Sequence, residues 1–221
     1  MLTRLESRVG ATCAITGSIM LFIGTYLHPM SADPNQAVAA FTEYAADRLW
    51  VASHLTQLAG MALMVSALVL LAQQVTTENT RGWARLAVGG AIVSLTVATT
   101  LQAVDGVALK VMVDTWAAAP AAQKEEAFYA AFAVRQIEVG LASMLSLSLG
   151  LTAIVYGGIL LVCDASPKWV AGLAIVGGVP TIVAGIVIAY SGFSELSMTI
   201  NMPASSLLLI WMLILGVYMW R

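Results

Sequence analysis

Six polar side chains form three pairs within otherwise apolar stretches of the sequence, and the members of each pair are three positions apart. The pairs are His54 with Gln57, Gln102 with Asp105, and Arg135 with Glu138. Residues three positions apart lie on one face of a helix, so each pair presents two polar groups together. Ionisable groups are costly inside a membrane, which makes these residues candidates for a ligand-binding site. His28, which ends the first span at the outer interface, and Lys110, which extends the third helix outward, complete the predicted site.

A metal centre is one chemistry that these residues could support. His28, His54, Asp105 and Glu138 offer two imidazoles and two carboxylates, a donor set that suits zinc or iron. The sequence contains no HExxH or ExxH motif and no third histidine. Binding of a haem would require the two histidines to face each other across the ring. This is unfavourable, because a single loop joins their helices. We therefore favour no metal or other cofactor from the sequence.

The composition indicates an integral membrane protein with a single domain, residues 1–221. Of the 221 residues, 60% are hydrophobic and only 10% are charged, whereas a soluble domain carries about 25% charged residues. The bilayer is therefore the predicted partner. The net charge of −2 gives no reason to expect nucleic acid.

Six apolar segments are long enough to cross a membrane, since a hydrocarbon core of about 30 Å needs about 20 helical residues. They are 9–28, 50–73, 84–108, 134–163, 169–190 and 204–220. The predicted fold is thus all-α, a polytopic bundle of six transmembrane helices. Arg4 and Arg8 precede the first segment without a cleavage site after it, so we expect a retained first span.

The basic residues between the spans predict the orientation of the chain. One set of connections and termini carries Arg4, Arg8, Arg81, Arg85, Lys168 and Arg221. The other side has only Arg48 and Lys124 outside the spans, together with six carboxylates. The positive-inside rule places the first set, and with it both termini, in the cytoplasm. The predicted location is the plasma (inner) membrane, with the polar pairs near its outer face.

The two long outer loops are expected to contain amphipathic helices. In the first loop, Asp33 has the position of a helix N-cap, and Pro34 that of the first helical residue. We therefore expect a helix over 34–49 that runs on into the second span. In the loop 117–129, Pro120 has a similar place. The segment AFT at 40–42 is followed by Arg48, and the segment AFY at 127–129 is followed by Arg135. The spacing between segment and arginine is the same in both loops. This match predicts a tandem repeat in which spans 3 and 4 echo spans 1 and 2.

The size, the span pattern and two outer segments resemble small six-helix bacterial membrane proteins that are grouped as domains of unknown function. The segments are LQAVDG at 101–106 and VRQIE at 134–138. The resemblance implies a six-span fold over most of the chain. It implies no activity, because none is attached to that grouping.

Three functions stay open at this point. The favoured one is a non-enzymatic protein that binds or transports a small or amphipathic ligand through an outward-facing polar vestibule. The inner halves of the spans hold few polar groups to form a transport path, and a homodimer could complete one. The second is a membrane enzyme that uses the carboxylates and a histidine, with or without a metal, on a lipid or isoprenoid. The third is a structural cluster in an accessory subunit, with ion pairs Asp105–Arg135 and Lys110–Glu138.

Overall fold

The computed structural model describes residues 4–163 and 166–220, and all regular structure within these two ranges is helical. Arg221, one of the predicted cytoplasmic charges, lies outside them. Six helices in the described part of the chain are long and apolar enough to cross a membrane, which agrees with the number that the sequence predicts. They span Arg4–Leu27, Trp50–Gln74, Arg81–Ala118, Ala121–Val162, Lys168–Ser191 and Glu195–Trp220.

Two of the six spanning helices are composite. The third consists of α4 (Arg81–Gln102), a π-helical segment (Ala103–Leu109) and α5 (Lys110–Ala118). The fourth consists of a 3₁₀ turn (Ala121–Gln123) followed by α6 (Lys124–Val162). We label the other four α1 (Arg4–Leu27), α3 (Trp50–Gln74), α7 (Lys168–Ser191) and α8 (Glu195–Trp220), and the short helix between α1 and α3 is α2 (Ala37–Ala46).

Several helices extend beyond the boundaries that the sequence predicts. The predicted loop 117–129 is largely helical, because α5 continues to Ala118 and α6 begins at Lys124. Pro120 marks the break between them, as expected for a residue without a backbone N–H. The last span begins at Glu195 instead of residue 204 and contains Pro203 within the helix. One lost backbone hydrogen bond is tolerated in a long helix whose apolar surroundings favour the helical state.

The six spanning helices form a closed ring in chain order. Each packs against the next one along the chain, and α8 packs against α1. Two of the helix pairs approach very closely. A Cβ atom at Gly17 of α1 would lie 2.7 Å from the carbonyl oxygen of Gly60 in α3, and one at Gly150 of α6 would lie 2.6 Å from that of Gly178 in α7. Such glycines let helix backbones pack closely in membrane bundles.

An apolar cluster contributed by all six spans fills one end of the ring. Its members include Ala14, Leu71, Ala87, Tyr156, Ala171 and Leu215. We call this the terminal end, because α1 begins and α8 ends there, and the Ser7 hydroxyl donates a hydrogen bond to the Met219 carbonyl at 2.6 Å. We call the opposite end, where α2 lies, the cap end. It holds a second, aromatic-rich cluster of Phe41, Tyr44, Trp50, Trp116 and smaller residues.

The cap helix α2 differs from its predicted form at both of its ends. It begins after Gln36 instead of at Pro34, and the carboxylate of Asp33 instead accepts the backbone N–H of Asn35 in a turn. It stops at Ala46 instead of running into α3, because the Asp47 carboxylate accepts the Leu49 N–H at 2.7 Å and holds a bend. The loop does contain an amphipathic helix.

The predicted repeat does not extend to the environments of its arginines. The two phenylalanines of the matching segments, Phe41 and Phe128, pack together with ring centroids 5.7 Å apart. Arg48 is exposed, however, whereas Arg135 is buried. The similar spacing therefore does not give the two arginines equivalent roles.

Candidate functional site

The seven residues that we call the polar cluster lie beneath the aromatic cap. They are His28, His54, Gln57, Gln102, Asp105, Arg135 and Glu138. Within α3, His54 and Gln57 fall between Trp50 of the cap cluster and Val65 of the terminal cluster. The polar groups are thus bounded on both sides by apolar packing.

The His54 ring is held firmly by its own helix. Its side chain is only 2% exposed, and Nδ1 lies 2.7 Å from the carbonyl oxygen of Trp50, one turn earlier. The Ser53 hydroxyl lies 3.2 Å from the same nitrogen. The Trp50 ring packs over the imidazole with centroids 4.6 Å apart. The backbone and the neighbouring indole therefore fix the direction in which Nε2 points.

Asp105 lies in the π-helical segment and faces His54. Its Oδ2 is 3.0 Å from Nε2 of His54, and its backbone carbonyl accepts the Trp50 indole N–H at 3.0 Å. Gly106 permits this approach, since a Cβ there would lie 2.6 Å from Cβ of His54. Single π-helical turns within α-helices occur frequently at functional sites. Here the wider turn directs Asp105 towards α3.

His28 follows the end of α1 and completes a group of three potential ligands. Its Nδ1 lies 2.8 Å from the carbonyl oxygen of Pro29, and its ring centroid is 5.0 Å from that of His54. One ligand atom from each of His28, His54 and Asp105 fits within 4.8 Å of the others. Burial lowers the pKa of His28, and the charge of Asp105 opposes that shift.

The two glutamines form a second contact between the same two spans. Nε2 of Gln102 donates to Oε1 of Gln57 at 3.2 Å. The other amide atom of Gln102, Oε1, is buried and has no hydrogen-bond partner among the described residues, and the same is true of Oδ1 of Asp105. The pairs predicted from the second and third spans therefore meet each other, and two acceptors are left free.

Arg135 pairs with Glu138 of its own helix instead of with Asp105 as predicted. Its NH1 lies 2.6 Å from both carboxylate oxygens of Glu138. The spacing of three positions brings the two groups together without any help from another helix, while the π-helical turn directs Asp105 towards His54. No hydrogen bond among the described residues joins Arg135 to the Asp105 side chain.

Arg135 also connects the fourth span to the cap. Its NH2 donates to the carbonyl oxygen of Pro34 at 3.4 Å. Its guanidinium lies over the rings of Tyr44 and Phe193, 5.6 and 4.9 Å from their centroids. Burial raises the pKa of Tyr44 to about 12, although the charge of Arg135 opposes the shift.

Lys110 does not belong to the polar cluster, and its predicted pairing with Glu138 is wrong. Its Nζ donates to the carbonyl oxygens of Tyr44 and Ala45 at 2.9 and 3.1 Å, and to the Asp114 carboxylate at 2.8 Å. A lysine at the C-terminal end of a helix satisfies carbonyls that have no partner within the helix. Lys110 thus fixes the end of α2 over the bundle.

Arg135 and Glu138 are enclosed, whereas His28, Gln57 and Asp105 are partly exposed, and the open vestibule stays a prediction. Glu138 is 3% exposed and Arg135 is 6% exposed.

The predicted site did not include the cap residues Tyr44 and Trp50 or Phe193, which lies between α7 and α8. Only Trp50 had a sequence signal, because it precedes His54 by one helical turn. Tyr44 and Phe193 come from connections whose placement no local pattern indicates.

Comparisons with known proteins give no relative from which a role could be transferred. No protein-family model, curated protein or solved structure matches the chain. The resemblance to small six-helix bacterial membrane proteins therefore stays a prediction. Any function has to be argued from the polar cluster itself.

Proposed function

We propose that this chain is a membrane protein that binds a small cation in the polar cluster beneath its cap. The observation that carries this proposal is Oδ1 of Asp105, a buried carboxylate oxygen that has no hydrogen-bond partner among the described residues. A buried acceptor without a donor is costly, and a buried charge without a partner costs more. Oε1 of Gln102 is a second acceptor in the same condition. A cation, or a ligand with N–H donors, would satisfy both.

The balance of charges supports a cation over an anion. Arg135 is neutralised by Glu138, so with neutral histidines the cluster holds two carboxylates and one guanidinium, a net charge of −1. Asp105 is the group whose charge is not offset. An anion would have to enter next to two carboxylates, which is electrostatically unfavourable.

Binding is favoured over transport because the terminal end is packed with apolar side chains from every span. A path to that end would have to separate large buried residues such as Leu71, Tyr156 and Leu215. The cap end is closed mainly by the ten-residue helix α2. Exchange of a ligand through the cap therefore disturbs much less of the bundle.

The proposal can be tested by cation-dependent stabilisation of the purified protein in detergent. We expect a saturable rise in thermal stability with at least one cation from a panel of divalent metals and alkylammonium ions. A ligand at 100 times its Kd stabilises the folded state by about 2.7 kcal/mol. Asp105→Asn should abolish the effect, whereas Asp114→Asn, at an exposed carboxylate of the same span, should retain it.

Two results would contradict cation binding in the cluster. One is that no cation stabilises the wild-type protein. The other is that Asp114→Asn removes the stabilisation as completely as Asp105→Asn does. In the first case, the contact between His54 and Asp105 is structural, which favours the third function predicted from the sequence, although with other pairs than those predicted.

We also propose that both termini face the cytoplasm in the plasma membrane, so that the cap end faces outwards. The support is the bias of basic residues towards the termini and their adjoining connections. In a background with Cys13 and Cys163 replaced by serine, single cysteines at Ala119 and Ser194 should react with an impermeant thiol reagent in intact cells. One at Asn79 should not. Labelling at Asn79 alone would invert the orientation.

A further inference from the structure

We propose that the cation is a divalent first-row transition-metal ion, bound by His28, His54 and Asp105. This inference rests on the proposed function, because it names the ligand of the same cluster. Its ligand atoms are one ring nitrogen from each histidine and the carboxylate of Asp105, which fit within 4.8 Å of one another. Neither the sequence nor any comparison assigns a metal here.

The hydrogen bonds of the two histidines are those expected of metal ligands. Nδ1 of His54 contacts the carbonyl oxygen of Trp50 at 2.7 Å, and Nδ1 of His28 contacts that of Pro29 at 2.8 Å. A carbonyl oxygen can only accept, so each Nδ1 carries the proton. In a neutral ring, Nε2 then has a free lone pair. Metal-binding histidines almost always donate their other N–H to a carbonyl or carboxylate in this way.

The contact between His54 and Asp105 strengthens this assignment. Nε2 of His54 and Oδ2 of Asp105 are 3.0 Å apart, and both are acceptors when the ring is neutral. Two lone pairs at this distance repel each other unless a proton or a cation lies between them. A proton would make His54 an imidazolium, but it would leave the buried Oδ1 of Asp105 without a partner among the described residues and would not involve His28. A single metal ion uses all three residues.

The separations suit a first-row metal. Zinc binds histidine nitrogen and carboxylate oxygen at about 2.0–2.2 Å, so two adjacent ligands of one ion lie roughly 3–3.5 Å apart. The pair His54–Asp105 already has that spacing. His28 lies just beyond the last residue of α1, and its ligand nitrogen is within 4.8 Å of the other two ligand atoms.

The donor types favour zinc, iron or cobalt over magnesium or calcium. Two imidazoles and one carboxylate are ligands of transition metals, whereas Mg²⁺ and Ca²⁺ take oxygen ligands. Glu138 is not a ligand in this arrangement, because NH1 of Arg135 occupies both of its oxygens. A site with three protein ligands leaves a coordination position open.

The test is a titration of the purified protein with Co²⁺, whose visible absorption reports its coordination. After removal of bound metal with a chelator, we expect one Co²⁺ per chain, displaced by Zn²⁺ and not by Mg²⁺. This measurement uses the wild-type chain and does not depend on any variant folding. Loss of an outer hydrogen bond to a ligand weakens metal binding about 10–100-fold. His28→Ala and Asp105→Asn remove ligands and should weaken it by at least about 100-fold.

The control variant is Asp114→Asn, which should bind Co²⁺ as the wild-type chain does. If Co²⁺ does not bind but an alkylammonium ion stabilises the wild-type protein and not Asp105→Asn, the metal site is overturned and cation binding stands. If neither cation binds, both proposals fail. If Co²⁺ binds equally well to His28→Ala, the three-residue ligand set is overturned.

Discussion

Replacement of Arg135 by alanine tests the electrostatics of the cluster most directly. The guanidinium holds both oxygens of Glu138 at 2.6 Å, and the two side chains are only 7% and 4% exposed. Removing it leaves a buried carboxylate without its partner and close to the charge of Asp105. We therefore expect a large loss of stability.

The size of the loss follows from the contacts of Arg135. Breaking a buried ion pair by removing one partner costs about 3–5 kcal/mol. The loss of the guanidinium from the rings of Tyr44 and Phe193 adds about 0.5–1 kcal/mol each. These terms are not fully additive, so we expect a total of about 4–6 kcal/mol. Adding Glu138→Gln should recover about half of this, because the orphaned charge is then removed.

The free energy of unfolding can be measured by SDS titration in mixed micelles, followed by tryptophan fluorescence and far-UV circular dichroism. The matched control is Arg48→Ala, an exposed arginine at the same end of the bundle, which should change stability by less than about 0.5 kcal/mol. In the Arg135→Ala background, Glu138→Gln should restore more stability than Asp105→Asn does. A larger recovery from Asp105→Asn would show that the pair predicted from the sequence is the true one.

Two further predictions concern the cap and the π-helical turn. Gly106→Ala should lower the free energy of unfolding by about 1–3 kcal/mol, because the added Cβ would lie 2.6 Å from Cβ of His54. A change below about 0.5 kcal/mol in the same assay would contradict this close approach. Tyr44 should make folding sensitive to alkali, since its buried phenol stays protonated to about pH 12 while the unfolded phenol ionises near pH 10. The wild-type chain should lose about 2–3 kcal/mol more between those pH values than Tyr44→Phe; equal losses would contradict the burial of this phenol.

The number of spans and the faces of the polar pairs could be predicted because they depend on local features. A span needs only a sufficiently long apolar stretch, and residues three positions apart share a helix face whatever surrounds them. That is why the pairs on α3 and on the third span point at each other, with Gln57 bonded to Gln102 and His54 facing Asp105. Boundaries were less accurate where alanine-rich segments continued as helix beyond the membrane-length stretch.

The partners within the cluster could not be predicted, because they depend on small rotations of neighbouring helices. The π-helical turn at Ala103–Leu109 has no signature in the sequence, yet it changes the direction of Asp105. Once Asp105 faces α3, Arg135 is left to the nearest carboxylate, which is on its own helix. Lys110 was assigned to the site from its position at the outer end of the third span, and that position does not distinguish a ligand-facing lysine from one that caps α2.

The contrast between the two ends of the bundle argues for a site that exchanges its ligand at one end only. To open the terminal end, several spans would have to separate, and each large apolar side chain exposed costs about 1.5–3 kcal/mol. At the cap end, Lys110 and Glu43 anchor α2 and the loop before it through a few hydrogen bonds. Such bonds contribute only about 0.5–1.5 kcal/mol each. Lifting α2 would also expose its two large buried side chains, Phe41 and Tyr44, whereas the terminal cluster has large buried side chains from several spans. The cap therefore opens at a lower free-energy cost than the terminal end. A cation bound beside Asp105 would therefore be held and released from the cap side, as in a binding protein, instead of being passed through the ring.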